Sequence, residues 1–275
     1  MCQNGKKRFF MKFGISTASL FGRVQTESAF DVLRQMGVDT TEVFLNTFSE
    51  YEKPFVDAII TRRGNVNVHS VHCLSTQFEP QLFSGNARVC ADAENLFRKV
   101  CYAGYMLGAK FYTFHGPTRI KKRDYKFDYI KLGNRVNRLI EIAQSYGMNV
   151  SYENVHWTYA NEPEYFRQLL KQCPRLFTTL DVKQALQAGH DPVKFLDAMG
   201  NRISTIHLCD VDKNGETAIP GKGKFNFEKF FRELEKFNVN VPALVEVYAH
   251  DYKDLNELKS AYDYIMNTII KVKNK

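Results

Sequence analysis

Eight times along this chain, a short run rich in β-branched or aromatic residues is followed by a longer stretch of helical period. This alternation constrains the fold most, because each strand–helix–strand crossover sets successive strands parallel and winds them with one hand. The strand-like runs are KFGISTA (12–18), TTEVFL (40–45), NVNVHSVHCL (65–74), AKFYTFHG (109–116), MNVSYEN (148–154), LFTTLDV (176–182), RISTIHLCD (202–210) and VPALVEV (241–247). Helical stretches follow them at 27–37, 50–64, 86–108, 126–147, 162–173, through 191–200, and at 226–237 and 254–272. Within 86–108, Leu96, Val100, Ala103 and Leu107 share one helical face. Gly37, Gly64, Gly108, Gly147 and Gly200 stand where helix C-caps belong. Eight such units in about 250 residues predict a closed (β/α)8 TIM barrel. The rival is a doubly wound open sheet. It wants a Gly-rich phosphate loop after an early strand, and GISTASLFG does not supply one. No Pro- or Ser-rich linker divides the chain, so the expectation is a single α/β domain over 11–275 behind a leader or disordered N-terminus at 1–10.

Composition bounds the rest. A chain of 275 residues, 44% hydrophobic and 25% charged, can bury a core without disulfide staples. Part of the net charge of +8 sits near the ends, in GKKR and KVKNK. Cys2, Cys73, Cys90, Cys101, Cys173 and Cys209 show no CxxC spacing, which reads as reduced thiols in a cytoplasmic protein rather than a zinc ribbon. No apolar run approaches the roughly 20 residues of a membrane span, and the opening lacks the apolar segment of a signal peptide. No membrane partner is therefore expected. The basic stretch RIKKRDYK (119–126) is either an anion contact or, as charge runs usually are, a solvated surface.

In barrels of this type the reactive side chains lie at the C-terminal ends of the strands. Those ends carry Glu42, His69 and His72, His115, Glu153 with Asn154, Asp181, His207 with Asp210, and Glu246. Carboxylates converging on one rim repel one another unless a cation joins them. Glu153, Asp181, His207 and Glu246, from four successive strands, make a three-carboxylate, one-imidazole shell suited to one divalent ion. Mn²⁺ or Mg²⁺ fits that set best, with Co²⁺ and Zn²⁺ as alternatives. Asp210 or a backbone carbonyl is expected to hold the second nitrogen of His207. Glu42 is expected to orient a substrate hydroxyl or pair with a cation. His72 and His115 are candidate substrate contacts or satisfied structural histidines. His69, three residues before His72, is expected to point to the other side of the strand and pack there. Trp157 is either a stacking platform or core, and Asp191-Pro192 reads as an N-cap followed by Pro at N1.

On the segments SYEN, LDVKQALQAGHDP, IHLCD with PGKGKFNF, and LVEV, the chain resembles the xylose isomerase-like sugar isomerase/epimerase barrels, a superfamily that also holds endonuclease IV. The resemblance runs from about Met11 to the end. It implies that Glu153, Asp181, His207 and Glu246 bind the metal. It also implies that Glu153 and Glu246 transfer protons on either face of a small sugar, sugar phosphate or polyol through a metal-stabilised enediolate. A homodimer is compatible with it.

Three departures qualify the resemblance. Gln184 stands where many relatives have His; an amide can bind a sugar hydroxyl but exchanges no proton near pH 7. Gly215 and Thr217 stand where endonuclease IV has metal ligands, which disfavours an abasic-site nuclease and a nucleic-acid partner. Lys222 occupies the centre of the family's Gly-Glu-Gly turn, where it attracts an anionic substrate or faces water. The expected activity is metal-dependent isomerisation or epimerisation. An inosose-type dehydratase and a non-catalytic sugar-binding barrel are the alternatives.

Overall fold

The computed structural model describes residues 11–74, 77–119 and 128–274. Residues 1–10 and nearly all of the basic stretch at 119–126 lie outside the described residues. The strands are β1 (Phe13–Ile15), β2 (Thr40–Leu45), β3 (Asn67–Cys73), β4 (Phe111–Phe114), β5 (Asn149–Glu153), β6 (Phe177–Asp181), β7 (Ile203–Leu208), β8 (Asp210–Val211), β9 (Thr217–Ala218) and β10 (Ala243–Val245). The α-helices are α1 (Thr26–Gln35), α2 (Lys53–Arg62), α3 (Ala87–Leu107), α4 (Tyr129–Ser145), α5 (Pro163–Gln172), α6 (Val182–Gln187), α7 (Pro192–Met199), α8 (Phe227–Lys236) and α9 (Leu255–Lys273). Strands β1 to β7 and β10 form one parallel sheet in the order β1-β10-β7-β6-β5-β4-β3-β2. With helices between the strands, this is the nearly closed (β/α)8 barrel that the alternation predicts.

The gap between β1 and β2 is bridged by side chains. Thr41 Oγ1 donates to Ile15 O at 2.6 Å, and Thr17 Oγ1 accepts from Phe44 N at 2.7 Å. A Cβ at Gly14 would stand 1.9 Å from Thr40 O, so only glycine lets the two strands approach this closely. Every residue of β2 and β7 is buried, as strands covered on both faces must be. The helices close over them with apolar faces. In α8, Phe227, Phe230, Phe231 and Leu234 recur at i, i+3, i+4 and i+7, and all are buried. Each such side chain is worth roughly 1.5–3 kcal/mol. Asp191 caps α7 by accepting from Val193 N, with Pro192 at N1, as expected. The five described cysteines are free, and four of them are buried.

Three local features were not legible in the pattern. The chain after β6 makes two helices, α6 and α7, with Gly189 between them. The segment after β7 folds back as an antiparallel β8–β9 pair. Strand β3 carries an extra residue against β2, between Val68 and Ser70, and β7 carries one against β6, between Ile203 and Thr205. The extra residues are His69 and Ser204. A bulge breaks the two-residue alternation. His69 therefore does not turn to the opposite side of the strand. Its Nε2 lies 3.1 Å from Ser204 O and 3.0 Å from Thr205 Oγ1. Strands β3 and β7 are not neighbours in the sheet, so this contact crosses the barrel interior. Ser151 Oγ joins the same polar layer, 2.7 Å from both Thr179 Oγ1 and Ser204 Oγ. His69 is a packing residue, as expected, but one that fills the floor of the barrel.

Candidate functional site

Above that floor the strand ends bring four carboxylates and three imidazoles into contact, all of them buried. His207 is the hub. Its Nδ1 lies 3.0 Å from Glu153 Oε1, 3.5 Å from Glu246 Oε2 and 3.7 Å from Asp181 Oδ2. One ligand atom from each of these four residues falls within 4.8 Å of the others. The four positions named from the strand ends thus meet at one point.

The second nitrogen of His207 is not held by Asp210. Its Nε2 faces Glu42 Oε1 at 3.1 Å. Glu42 reaches across from β2 and is fixed by Ser70 Oγ and Thr113 Oγ1, which donate to its Oε2 at 2.6 and 2.5 Å. Asp210 turns the other way. Its Oδ1 accepts from Val211 N and Phe225 N, both at 2.8 Å, and its Oδ2 from Gly221 N and Gly223 N, both at 3.0 Å. Four backbone donors outcompete one imidazole, so Asp210 organises the loop after β7 rather than the site. Asn154 plays a similar bracing part nearer the rim. Its side chain donates to Asp181 O and accepts from Asp181 N, both at 2.8 Å, locking the end of β5 to the end of β6.

His72 and His115 extend the cluster. His115 Nε2 lies 2.7 Å from Glu153 Oε2 and 3.0 Å from His72 Nε2. Behind His115 sits Glu79, whose Oε2 accepts from His115 N at 2.9 Å and whose Oε1 accepts from the Tyr112 hydroxyl at 2.8 Å. Gln184 is buried at the rim, and its Oε1 is occupied by His156 Nδ1 at 2.5 Å and His156 N at 3.1 Å. Lys222 is not brought to the cluster. It lies exposed between the two glycines that bind Asp210. Thr217 Oγ1 donates to Asp251 Oδ1 at 2.7 Å, away from the hub.

Two residues escape the sequence reading. Lys183 looks like an ordinary helical lysine, yet it is buried with its Nζ 3.8 Å from both Asp181 Oδ2 and Glu246 Oε1. Its place in the first turn after the Asp181 strand end was the one available signal. Glu79 lies in the segment between β3 and α3, where pattern carries no information on depth.

The electrostatics separate these groups. Burial would raise the pKa of Glu153, but His115 and His207 outweigh it and hold the carboxyl well below the usual range. Burial likewise works against Glu42, and His207 overrides it, so Glu42 is also lowered. In Glu246, burial wins over the opposing pull of His207 and Lys183, and its pKa is raised. Burial opposes a charge on His207, but Glu246 and Glu42 raise it well above its ordinary value. His115 is pushed up to about 9 against its own burial, chiefly by Glu153. Burial and then His115 push His72 down to about 3.

The donor set fits a divalent cation. Asp181 Oδ2 and Glu246 Oε2 are buried with no hydrogen-bond partner among the described residues, while Glu153 Oε2 faces the His115 imidazole at 2.7 Å. Buried carboxylate oxygens without partners are costly, and a hard cation shared among them removes that cost.

The chain matches the model of the xylose isomerase-like TIM barrel family over residues 30–268. Among curated proteins it is 25% identical to an inosose dehydratase of Geobacillus kaustophilus over 168 residues, 52% of this chain and 54% of that one. Among solved structures it superposes on a D-psicose 3-epimerase with D-tagatose from Clostridium cellulolyticum H10. The TM-score is 0.75, with 15% identity and coverage of 96% of this chain and 99% of that one. The IOLI protein with a bound zinc atom also has a TM-score of 0.75, at 14% identity, covering 96% of this chain and 98% of that one. With the family model spanning most of the barrel, the chain belongs to the xylose isomerase-like TIM barrel family.

Proposed function

We propose that the protein is a divalent-metal-dependent sugar or polyol isomerase or epimerase, with Glu153, Asp181, His207 and Glu246 as metal ligands. The observation that carries this reading is the convergence of three buried carboxylates on His207 Nδ1, two of them, Asp181 and Glu246, with an oxygen that has no hydrogen-bond partner among the described residues. Glu42 stands behind the imidazole on its far nitrogen, the arrangement that usually orients a metal-binding histidine. When bound, a divalent cation would supply Lewis-acid chemistry, polarising a substrate carbonyl and acidifying the C–H on the carbon next to it. Glu153 and Glu246 take the two proton-transfer roles. Their environments drive their pKa values apart, which is the arrangement expected of an acid/base pair. His115 and His207 keep Glu153 ionised and able to accept a proton. The aromatic rings of Phe44 and Trp157, with centroids 4.9 Å from His72 and 6.0 Å from His115, offer apolar faces to the C–H side of a polyol.

The curated inosose dehydratase supports a second reading on the same site, in which proton abstraction is followed by loss of a hydroxyl. One experiment tests both. The Mn²⁺-loaded protein is incubated in D₂O with D-allulose, D-tagatose and scyllo-inosose, and deuterium incorporation and products are followed by NMR. Deuterium wash-in with a stereochemical or positional isomer as product supports the first reading. A product lacking one water supports the second. Glu153→Gln abolishes turnover while the fold is retained; full activity in that variant removes Glu153 from the mechanism.

A further inference from the structure

Lys183 is a buried cation at the rim, outside the proposed ligand set. Its side chain is 3% exposed, and its Nζ stands 3.8 Å from Asp181 Oδ2 and 3.8 Å from Glu246 Oε1. Both distances exceed a hydrogen bond. The ammonium group also lies over the ring of Tyr248, 4.4 Å from its centroid, and that ring is 38% exposed at the barrel mouth. The amine thus sits between the carboxylate hub and the entrance.

Among the described residues no acceptor stands within hydrogen-bond reach of Nζ, and its present stabilisation is the longer-range pull of two carboxylates and the Tyr248 ring. Those same carboxylates are the ones a divalent ion needs. With their charge committed to such an ion, the ammonium group loses its attraction and meets a like charge. An oxygen brought in from the mouth, within hydrogen-bond reach of Nζ, restores what it lacks. We infer that Lys183 is a substrate-contacting catalytic residue, donating to a substrate oxygen that gains negative charge during proton transfer. The site then has two cationic centres around the reacting oxygens. This inference rests on the metal-site reading above and extends it to a residue outside the ligand set.

The alternative is a strut, in which Lys183 merely holds Asp181 and Glu246 in place. The two differ in sign. Removing a substrate-facing cation leaves divalent-ion affinity intact or tighter, because a repulsive neighbour has gone. Removing a strut weakens it. Lys183→Met, with Lys183→Gln as a second variant should the first fail to fold, is titrated with Mn²⁺ by calorimetry. The Mn²⁺-loaded proteins are then titrated with acetohydroxamate, a small anion presenting two adjacent oxygens. The expected result is Mn²⁺ affinity unchanged or several-fold tighter, with hydroxamate binding at least tenfold weaker. Weakened Mn²⁺ binding in both variants overturns the proposal in favour of the strut. Unchanged Mn²⁺ and unchanged hydroxamate binding overturns it outright. A wild-type chain that takes up no Mn²⁺ overturns the metal-site reading itself, and this inference with it.

Discussion

Asp210→Asn replaces one carboxylate oxygen by an amide NH₂ without changing the shape of the side chain. Each oxygen of Asp210 accepts from two backbone N–H groups, Val211 and Phe225 on one side and Gly221 and Gly223 on the other. Neither orientation of the amide can therefore avoid setting a donor against two donors. Hydrogen bonds to a charged group are worth about 1.5–3 kcal/mol each, so losing two costs about 3–6 kcal/mol. The site is 1% exposed, so water does not compensate. The loop has little room to adjust, since a Cβ on Gly223 would lie 2.2 Å from Val211 O. Urea denaturation should show a loss of at least about 3 kcal/mol, unless the loop opens locally first. In that case hydrogen exchange at the amides of Gly221 and Gly223 should lose its protection. Mn²⁺ binding should survive in the folded variant, because Asp210 does not touch His207. A stability loss below about 1 kcal/mol with both amides still protected would refute the account of Asp210 as the loop's organiser.

Gly14→Ala should cost at least about 2 kcal/mol by the same denaturation assay, since its methyl group would push β1 off Thr40 at the barrel seam; a neutral result would mean the seam is loose. In chelator-treated protein, stability should fall as pH rises above about 6.5 and again as it drops below about 4.5, because the opposite shifts of His72 and Glu246 offset each other in between. His115 titrates at about 9 when folded and near 6.5 when unfolded, so its stabilisation is complete below pH 6.5 and is lost as pH rises through 9. His72, Glu42 and Glu153 are all held below their ordinary values, so below about pH 4.5 the unfolded chain takes up protons that the folded chain refuses, and stability falls towards pH 3. A melting temperature flat from pH 5 to 9 would contradict the assignment of His115. Glu42→Gln should weaken Mn²⁺ binding by about 10–100-fold while leaving the ligands in place; unchanged affinity would show that Glu42 does not support His207.

The barrel was legible because its signal is redundant. Eight strand–helix units each repeat the same change of period, and a misread boundary in one does not disturb the others. The ligand candidates were legible for a related reason: in a parallel barrel the C-terminal end of each strand points to one rim, so Glu153, Asp181, His207 and Glu246 could be brought together without knowing any distance. What escaped depended on single-residue geometry. His69 was placed on the wrong side because one bulge shifts the alternation, and no residue type in NVHSVHC marks it. Asp210 was given to His207 by proximity in sequence, whereas its oxygens are claimed by amides up to fifteen positions further along. Lys183 and Glu79 were passed over because depth in a loop or a first helical turn is set by tertiary packing, which leaves no periodic trace.

The central claim is that the strand ends build a site for one divalent ion. Metal content by mass spectrometry, on protein purified without chelator or nickel resin, tests it most directly. A divalent ion near one per chain is expected, greatly reduced by His207→Ala in a chain that still folds. No bound metal in the wild-type protein, even after incubation with Mn²⁺, Co²⁺ and Zn²⁺, would contradict it.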